Sequence, residues 1–384
     1  MSAIYFDHNA TTAVDEKVLE AMLPFFRQKY GNASSLHSYG IEARRAINQA
    51  REQVAHVVGA QPSQVIFTSG GSEANNLFIR GAADYLKPAN IVISAIEHPC
   101  VRRPAQELAR RSNNPWTLHQ LTVNTEGQVN LTDARNVISD KTGLVSVMLA
   151  NNETGVIQDV AAIAELAKNQ GAWMHTDAIQ ALGKIALNFA DLNVHAMTIS
   201  AHKVYGPKGA AALIVDKRLI LKPLIYGGGH ENGMRSGTEN VPAIVGFGVA
   251  CELVKARISE ASAHIARLRE YLEQGLSALG ATIFGQNAPR LPNTCYFAIP
   301  DIEGDTLVVK LDKAGFAVAS GAACSSATPG KSHVLEAMGV APMLARCAVR
   351  ISLGHDNTLN QIDDFLKAIN KIVAALRQFN SMSA

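Results

Sequence analysis

Ser200-Ala201-His202-Lys203-Val204-Tyr205-Gly206-Pro207-Lys208-Gly209 is the stretch on which the reading of the chain turns. The apolar run Met197-Thr198-Ile199 delivers a lysine into a turn rich in glycine and small polar residues. A lysine held at such a place is desolvated, so its amine pKa falls and the neutral amine can condense with a carbonyl. The carbonyl cofactor that most often takes such a lysine is pyridoxal phosphate, PLP.

Outward from Lys203 the pattern is one of strands alternating with helices. Strand-like runs fall at 64–68, 90–94, 116–121, 144–149, 172–175, 196–199 and 210–215, with helical runs at 72–86, 99–111 and 159–169 between them. Buried strands separated by helices imply a mostly parallel sheet flanked by helices, hence an α/β fold. Before them, 14–59 is helical, with Val18, Met22, Phe25 and Phe26 on one apolar face. After the glycine triplet 227–229, a long helical run over 241–279 leads to strands near 294–298 and 348–353 and helices at 303–314 and 358–379. These point to a smaller C-terminal α/β domain. The expected division is an N-terminal arm (1–13) packing with the small domain, a large domain (14–255) and a small domain (256–384).

Composition narrows the function classes. The chain has 384 residues and a formal net charge of +2, with no basic block suited to nucleic acid. Neither a secretion signal nor an apolar run of membrane-spanning length is present, so a cytoplasmic protein is expected. Five cysteines (Cys100, Cys251, Cys295, Cys324 and Cys347) lie far apart without a CxxC pair, which speaks against a disulfide framework and a metal site. Cys251 and Cys347 sit in apolar surroundings and read as small buried hydrophobes.

In an open parallel sheet, ligands gather beyond the carboxyl ends of the strands. The polar motifs fall there in succession. Gly70-Gly71-Ser72 closes one strand and opens a helix, where backbone N–H groups can hold phosphate. Glu97-His98-Pro99 follows the next strand, and the His98 ring can lie over a flat cofactor. Asn151-Asn152 before Gly155 serves either as turn chemistry or as an amide donor to a ligand. Asp177 either caps the following helix or pairs with a pyridinium nitrogen, and Gln180 lies one helical turn beyond it. A strand-end Asp, a later strand-end Lys and an upstream Gly-rich turn form a combination that specifies PLP.

The segment 195–215 resembles the lysine signature of class V aminotransferase-type PLP enzymes. The wider set is closest to the cysteine desulfurases of the NifS/IscS type. It comprises Tyr5-Phe6-Asp7-His8-Asn9-Ala10-Thr11-Thr12, Gly31-Asn32-Ala33-Ser34-Ser35-Leu36-His37, Glu97-His98-Pro99, Asn151-Asn152-Glu153-Thr154-Gly155, His175-Thr176-Asp177-Ala178, Arg235-Ser236-Gly237-Thr238-Glu239-Asn240 and Ser320-Gly321-Ala322-Ala323-Cys324-Ser325-Ser326. The resemblance implies the type I fold of PLP-dependent transferases, normally a homodimer. It also implies that L-cysteine is converted to L-alanine and a Cys324 persulfide, which passes to a sulfur-acceptor or iron–sulfur scaffold protein. In this reading Lys203 carries PLP and removes the Cα proton, and His98 stacks on the ring and moves protons. Gly71, Ser72, Ser200 and His202 hold phosphate, Gln180 holds the ring hydroxyl, and Thr238 reaches the neighbouring subunit's phosphate. Arg350 and Asn152 hold the substrate carboxylate, and no acidic neighbour for Arg350 is evident in the sequence.

Cys324 differs from the other cysteines because 319–330 contains only Ala, Ser, Gly, Cys, Thr and Pro, a composition expected of a surface loop. Ala322, His355 and Ala33 depart from the commonest pattern of the family, and none removes a proposed catalytic group. The alternatives on the same scaffold are a selenocysteine lyase or another class V aminotransferase. General iron–sulfur assembly, a nitrogenase-dedicated role and tRNA thiolation are all compatible with the motifs.

Overall fold

The computed structural model describes residues 4–113, 115–320 and 332–383. Ile4–Tyr5 (β1) comes first, followed by Val65–Thr68 (β2), Asn90–Ser94 (β3), Thr117–Leu121 (β4), Thr142–Ser146 (β5), Trp173–Asp177 (β6), Ala196–Ser200 (β7) and Ala211–Val215 (β8). Further on lie Thr282–Ile283 (β9), Thr294–Ala298 (β10), Phe316–Ala317 (β11), Ala319–Ser320 (β12) and Ala348–Ser352 (β13).

Strands β2 to β8 form one seven-stranded sheet in the order β2-β8-β7-β6-β5-β3-β4. Only β8 runs against the rest, pairing antiparallel with both β2 and β7. Every residue of β7 and of β8 is buried, as expected of strands covered on both faces. Side chains alternate between two apolar layers. Phe67, Val145, Met174 and Met197 face one core with the helices Ser38–Val57 and Val160–Asn169, whereas Ile66, Ile91, Leu144 and Leu213 face the other with Gly71–Ala83 and Pro99–Arg110.

The chain was expected to stay in the sheet through 149, yet β5 ends at Ser146. On one side the path continues, with Val147 N–H to His175 C=O and Leu149 N–H to Asp177 C=O. On the other side β3 runs out, its last partner to β5 being Ile93 with Ser146.

One helix, Val241–Ala278, serves both parts of the molecule. Asn240 caps it by accepting from the Ala243 N–H at 3.3 Å, and Pro242 fits the first turn, where its missing donor costs nothing. Its first half, with Ala243, Ile244, Phe247 and Val254, packs into the core of the large sheet. Gly248 permits a close crossing there: a Cβ would stand 2.7 Å from the Ala50 Cα of the helix Ser38–Val57. Its second half, with Ile265, Leu268, Leu272 and Leu276, belongs to a separate core with Cys295, Phe297, Ile351 and Phe365. That core backs a four-stranded sheet in the order β12-β13-β10-β9, all antiparallel.

The N-terminal arm joins this second unit before reaching the first. β1 pairs parallel with β11, Phe6 is wholly buried in the small core, and Asp7 bridges to Ser352. The arm then crosses to the end of β7, where Thr12 N–H donates to the His202 carbonyl.

Candidate active site

The carboxyl ends of β3, β6 and β7 open onto a cavity of about 240 Å³. Lys203, Asp177, His98 and Asn152 share its wall, together with Gly71, Ser72, Gln180 and His202. Residues far apart in sequence thus meet where the strand pattern placed them.

Lys203 leaves β7 in the single 3-10 turn Ala201–Lys203, and Tyr205 (φ +62) turns the chain away behind it. Its Nζ donates to the main-chain carbonyls of Asn9 at 2.5 Å and Ala10 at 2.6 Å. Asn9 has a second role as a knot. Its carbonyl also accepts from Gln180 Nε2 at 3.0 Å, while its side-chain amide donates to Thr294 Oγ1 at 2.9 Å and to the Asn152 carbonyl at 3.2 Å. The motif containing Asn9 was visible in the sequence, but nothing local marked this residue as the meeting point.

Asp177 ends β6 and does two things. Oδ1 accepts from the Ile179 N–H at 3.0 Å, which caps the next turn, and Oδ2 accepts from Asn75 Nδ2 at 2.8 Å. Burial raises its pKa, opposed by these hydrogen bonds and by His98 and Lys203. His98 caps the helix Pro99–Arg110 through Nδ1, which accepts from the Cys100 N–H at 3.2 Å. A neutral imidazole that accepts at Nδ1 carries its proton on Nε2. Burial lowers the His98 pKa, Asp177 pulls the other way and Lys203 adds to the lowering. Cys100, with Sγ 2.8 Å from His98 Nδ1 and 3.0 Å from Asn75 Nδ2, lines the same cavity. Burial pushes its thiol up to about 12, so it stays protonated. The sequence drew attention to His98 and gave no reason to weigh its neighbour.

Several features fit PLP. The helix Gly71–Ala83 begins at the cavity wall, so its first N–H groups and dipole are suited to a phosphate. At the end of β7 the Ser200 hydroxyl is buried and has no hydrogen-bond partner among the described residues, as a phosphate ligand would require. The Asp177 carboxylate suits a ring N–H. Gln180 keeps one amide hydrogen beyond that given to Asn9, and its Oε1 is held by the buried Lys184 Nζ at 2.8 Å.

Arg350 corrects the sequence reading. It does have an acidic neighbour: Nη2 donates to Asp7 Oδ1 at 2.7 Å, an ion pair between strand β13 and the arm. Nη1 donates to the Asn152 carbonyl at 2.9 Å. Asn152 therefore stands between Arg350 and the cavity. Thr238 is exposed in a loop outside the cavity wall of this single chain. Cys324 lies outside the described residues. On the chain's return, Ser332 donates to Glu153 Oε2 at 2.5 Å, next to Asn152.

Glu97 was quoted in a motif but given no role. It is wholly buried, with Oε1 accepting from Ser94 Oγ at 2.5 Å and from the Met148 N–H at 2.7 Å, and Oε2 without a partner. Burial pushes its pKa up to about 8, so it is mostly protonated at neutral pH.

With this geometry established, comparison with known proteins is informative. The model of the family Aminotransferase class-V matches residues 4–365. A cysteine desulfurase of Gluconacetobacter diazotrophicus is 41% identical over 384 residues, covering 99% of this chain and 96% of that protein. A solved NifS-like protein superposes with a TM-score of 0.91 at 39% identity, covering 97% of this chain and 99% of the other. SspA, solved in complex with cysteine, gives a TM-score of 0.81 at 32% identity over 92% of this chain and 99% of its own.

Proposed function

Since the chain belongs to the aminotransferase class-V family, and to the cysteine desulfurases within it, we propose that Lys203 and Cys324 divide the removal of sulfur from L-cysteine between them. The observation that carries this reading is the meeting of Lys203, Asp177 and His98 around one cavity.

Gly71, Ser72, Ser200 and His202 would hold the phosphate of PLP, Asp177 its ring nitrogen, Gln180 its ring hydroxyl and Lys203 its carbonyl carbon. When bound, PLP draws electron density from the substrate's Cα and so makes the Cα proton removable. Arg350 and Asn152 orient the substrate carboxylate. Lys203 Nζ takes the Cα proton as base. His98 would lie against the ring of the bound cofactor and present its Nε2 proton to the reacting groups. The Cys324 thiolate attacks the substrate sulfur. A sulfur–sulfur bond forms, the carbon–sulfur bond breaks with its electron pair left on carbon, and protonation of that carbon together with return of a proton to Cα completes alanine. Cys324 retains the persulfide for a protein acceptor, as in iron–sulfur assembly or another thiolation.

In the domain division we propose, the small domain (256–384) brings the Cys324 segment to a cavity built by 14–255, with the arm 1–13 between them. We propose a cytoplasmic homodimer in which Thr238 reaches the neighbouring subunit's phosphate. Exposed Leu23, Phe26, Ile225 and Tyr226 are consistent with a partner surface. Among the described residues no helix is long and apolar enough to cross a membrane.

Comparing wild type with Cys324→Ala tests the mechanism. With L-cysteine and a reductant, and no keto acid, wild type should release sulfide and alanine in equal amounts. The variant should lose more than 95% of both while keeping the yellow colour of the bound cofactor. Undiminished release by the variant would exclude Cys324 as the sulfur carrier. A need for a keto acid would favour an aminotransferase.

A further inference from the structure

Lys203 borders a second cavity as well as the one described above. This one offers about 50 Å³ to the centre of a water molecule, several times the roughly 10–15 Å³ that one water needs. It lies where the arm (His8, Thr12), the large sheet's unit (Val204, Ala250) and the small unit (Leu353, His355) come together.

His8 is the informative residue in its wall. It is 4% exposed, and among the described residues neither Nδ1 nor Nε2 has a hydrogen-bond partner of normal geometry, although the Tyr5 carbonyl is near. Gly354 passes so close that a Cβ there would lie 2.2 Å from His8 Cε1, so the ring is fixed in place. Burial lowers its pKa to about 4, so at neutral pH it presents one donor and one acceptor. A buried ring with a nitrogen left unsatisfied is costly, and a cavity with room for water removes that cost. His355 Nε2, in the same wall, is also buried without a partner.

The cavity also points outward. Gly183, Val254 and Ile258 line both it and a larger pocket of about 350 Å³, which is flanked by the exposed His56, Gly59 and Lys255. Lys203 therefore has the substrate cavity on one side and, on another, a space that shares wall residues with a pocket at the surface.

We propose that the 50 Å³ cavity is a water site held by His8, and that through it Lys203 exchanges protons with solvent while cofactor and substrate fill the other cavity. The exchange is balanced: an ammonium proton passes to water and a solvent proton returns, with no net change in charge or oxidation state. The exchange role rests on Lys203 being the base, as proposed above. The water site does not.

Two variants fill the space from different turns of the helix Val241–Ala278, Ala250→Val and Ala261→Leu. Crystals of the full chain should show water within hydrogen-bond reach of His8 Nδ1 or Nε2, and a dry cavity would overturn the proposal. The PLP-loaded enzyme, turning over cysteine deuterated at Cα in ordinary water, should return at least threefold more label to alanine in either variant than in wild type. Equal label return in wild type and in a variant whose crystal structure shows the cavity filled would overturn the proton route. If wild type makes no alanine from cysteine, the desulfurase reading fails, and the density at His8 still decides the water site.

Discussion

Arg350 has two tasks that compete for one guanidinium. Asp7 and the Asn152 carbonyl already take two of its nitrogens, and in the function proposed above the same planar fork would also serve an incoming carboxylate. Lysine offers a point charge instead of a fork and cannot hold that geometry. Arg350→Lys should raise KM for cysteine at least tenfold while changing kcat less than threefold, in steady-state assays of alanine production. An unchanged KM would detach Arg350 from the substrate. Lys203, Asp177 and His98 were legible because each sits in a local motif at a strand end. Asp7 and Asn9 were not, because their meaning lies in partners such as Arg350 and Thr294, separated from them by 343 and 285 positions.

At the scale of elements, the helix Glu16–Arg27 depends on the residue that precedes it. Asp15 Oδ1 accepts from the Lys17 N–H at 2.9 Å, and Oδ2 pairs with Arg257 at 2.7 Å, which joins this helix to Val241–Ala278. Asp15→Ala should lower stability by about 1–2 kcal/mol in urea titrations, chiefly through the lost cap. Arg257→Ala should cost less, because that guanidinium is partly exposed and screened by water. Equal losses would assign the effect to the ion pair rather than the cap. Helices with periodic apolar faces and clear caps, such as Val241–Ala278, were readable to within a residue. The end of β5 was not, because it is set by where β3 stops, a fact about a neighbour.

For the molecule as a whole, the buried carboxyls govern the response to pH. Glu97 has its pKa raised from 4.5 to about 8 by burial. Below the unfolded value both states are protonated, and the favourable contribution of the neutral buried acid is fully present. As pH rises from about 4.5 to 8 only the unfolded chain ionises, so stability falls, and above that range the loss is complete. Glu153, raised to about 7, contributes in the same direction over a narrower range. Glu97→Gln should therefore flatten the decline in melting temperature between pH 5 and 8, and an unchanged slope would show that Glu97 ionises freely in the fold. The alternation of strands and helices made the large sheet and its helical layers legible. Burial of a Glu inside a motif was not, because composition says nothing about which side of a turn faces the core.

The knot at Asn9 has a consequence for how the protein is made. Asn9 accepts Lys203 and Gln180 on its carbonyl, and its own N–H donates to Ser352, 343 positions further on. A ribosome adding about 5–20 residues per second needs about 20–70 s to cover that distance. Until then the arm can pair with β11 but Asn9 lacks its anchor on β13, so the carbonyls that receive the Lys203 amine are not yet held in place. Helices and the large sheet can form as they emerge, but the surroundings of Lys203 must await β13. A truncated or stalled chain should therefore hold much of its secondary structure and still lack a place for the proposed cofactor.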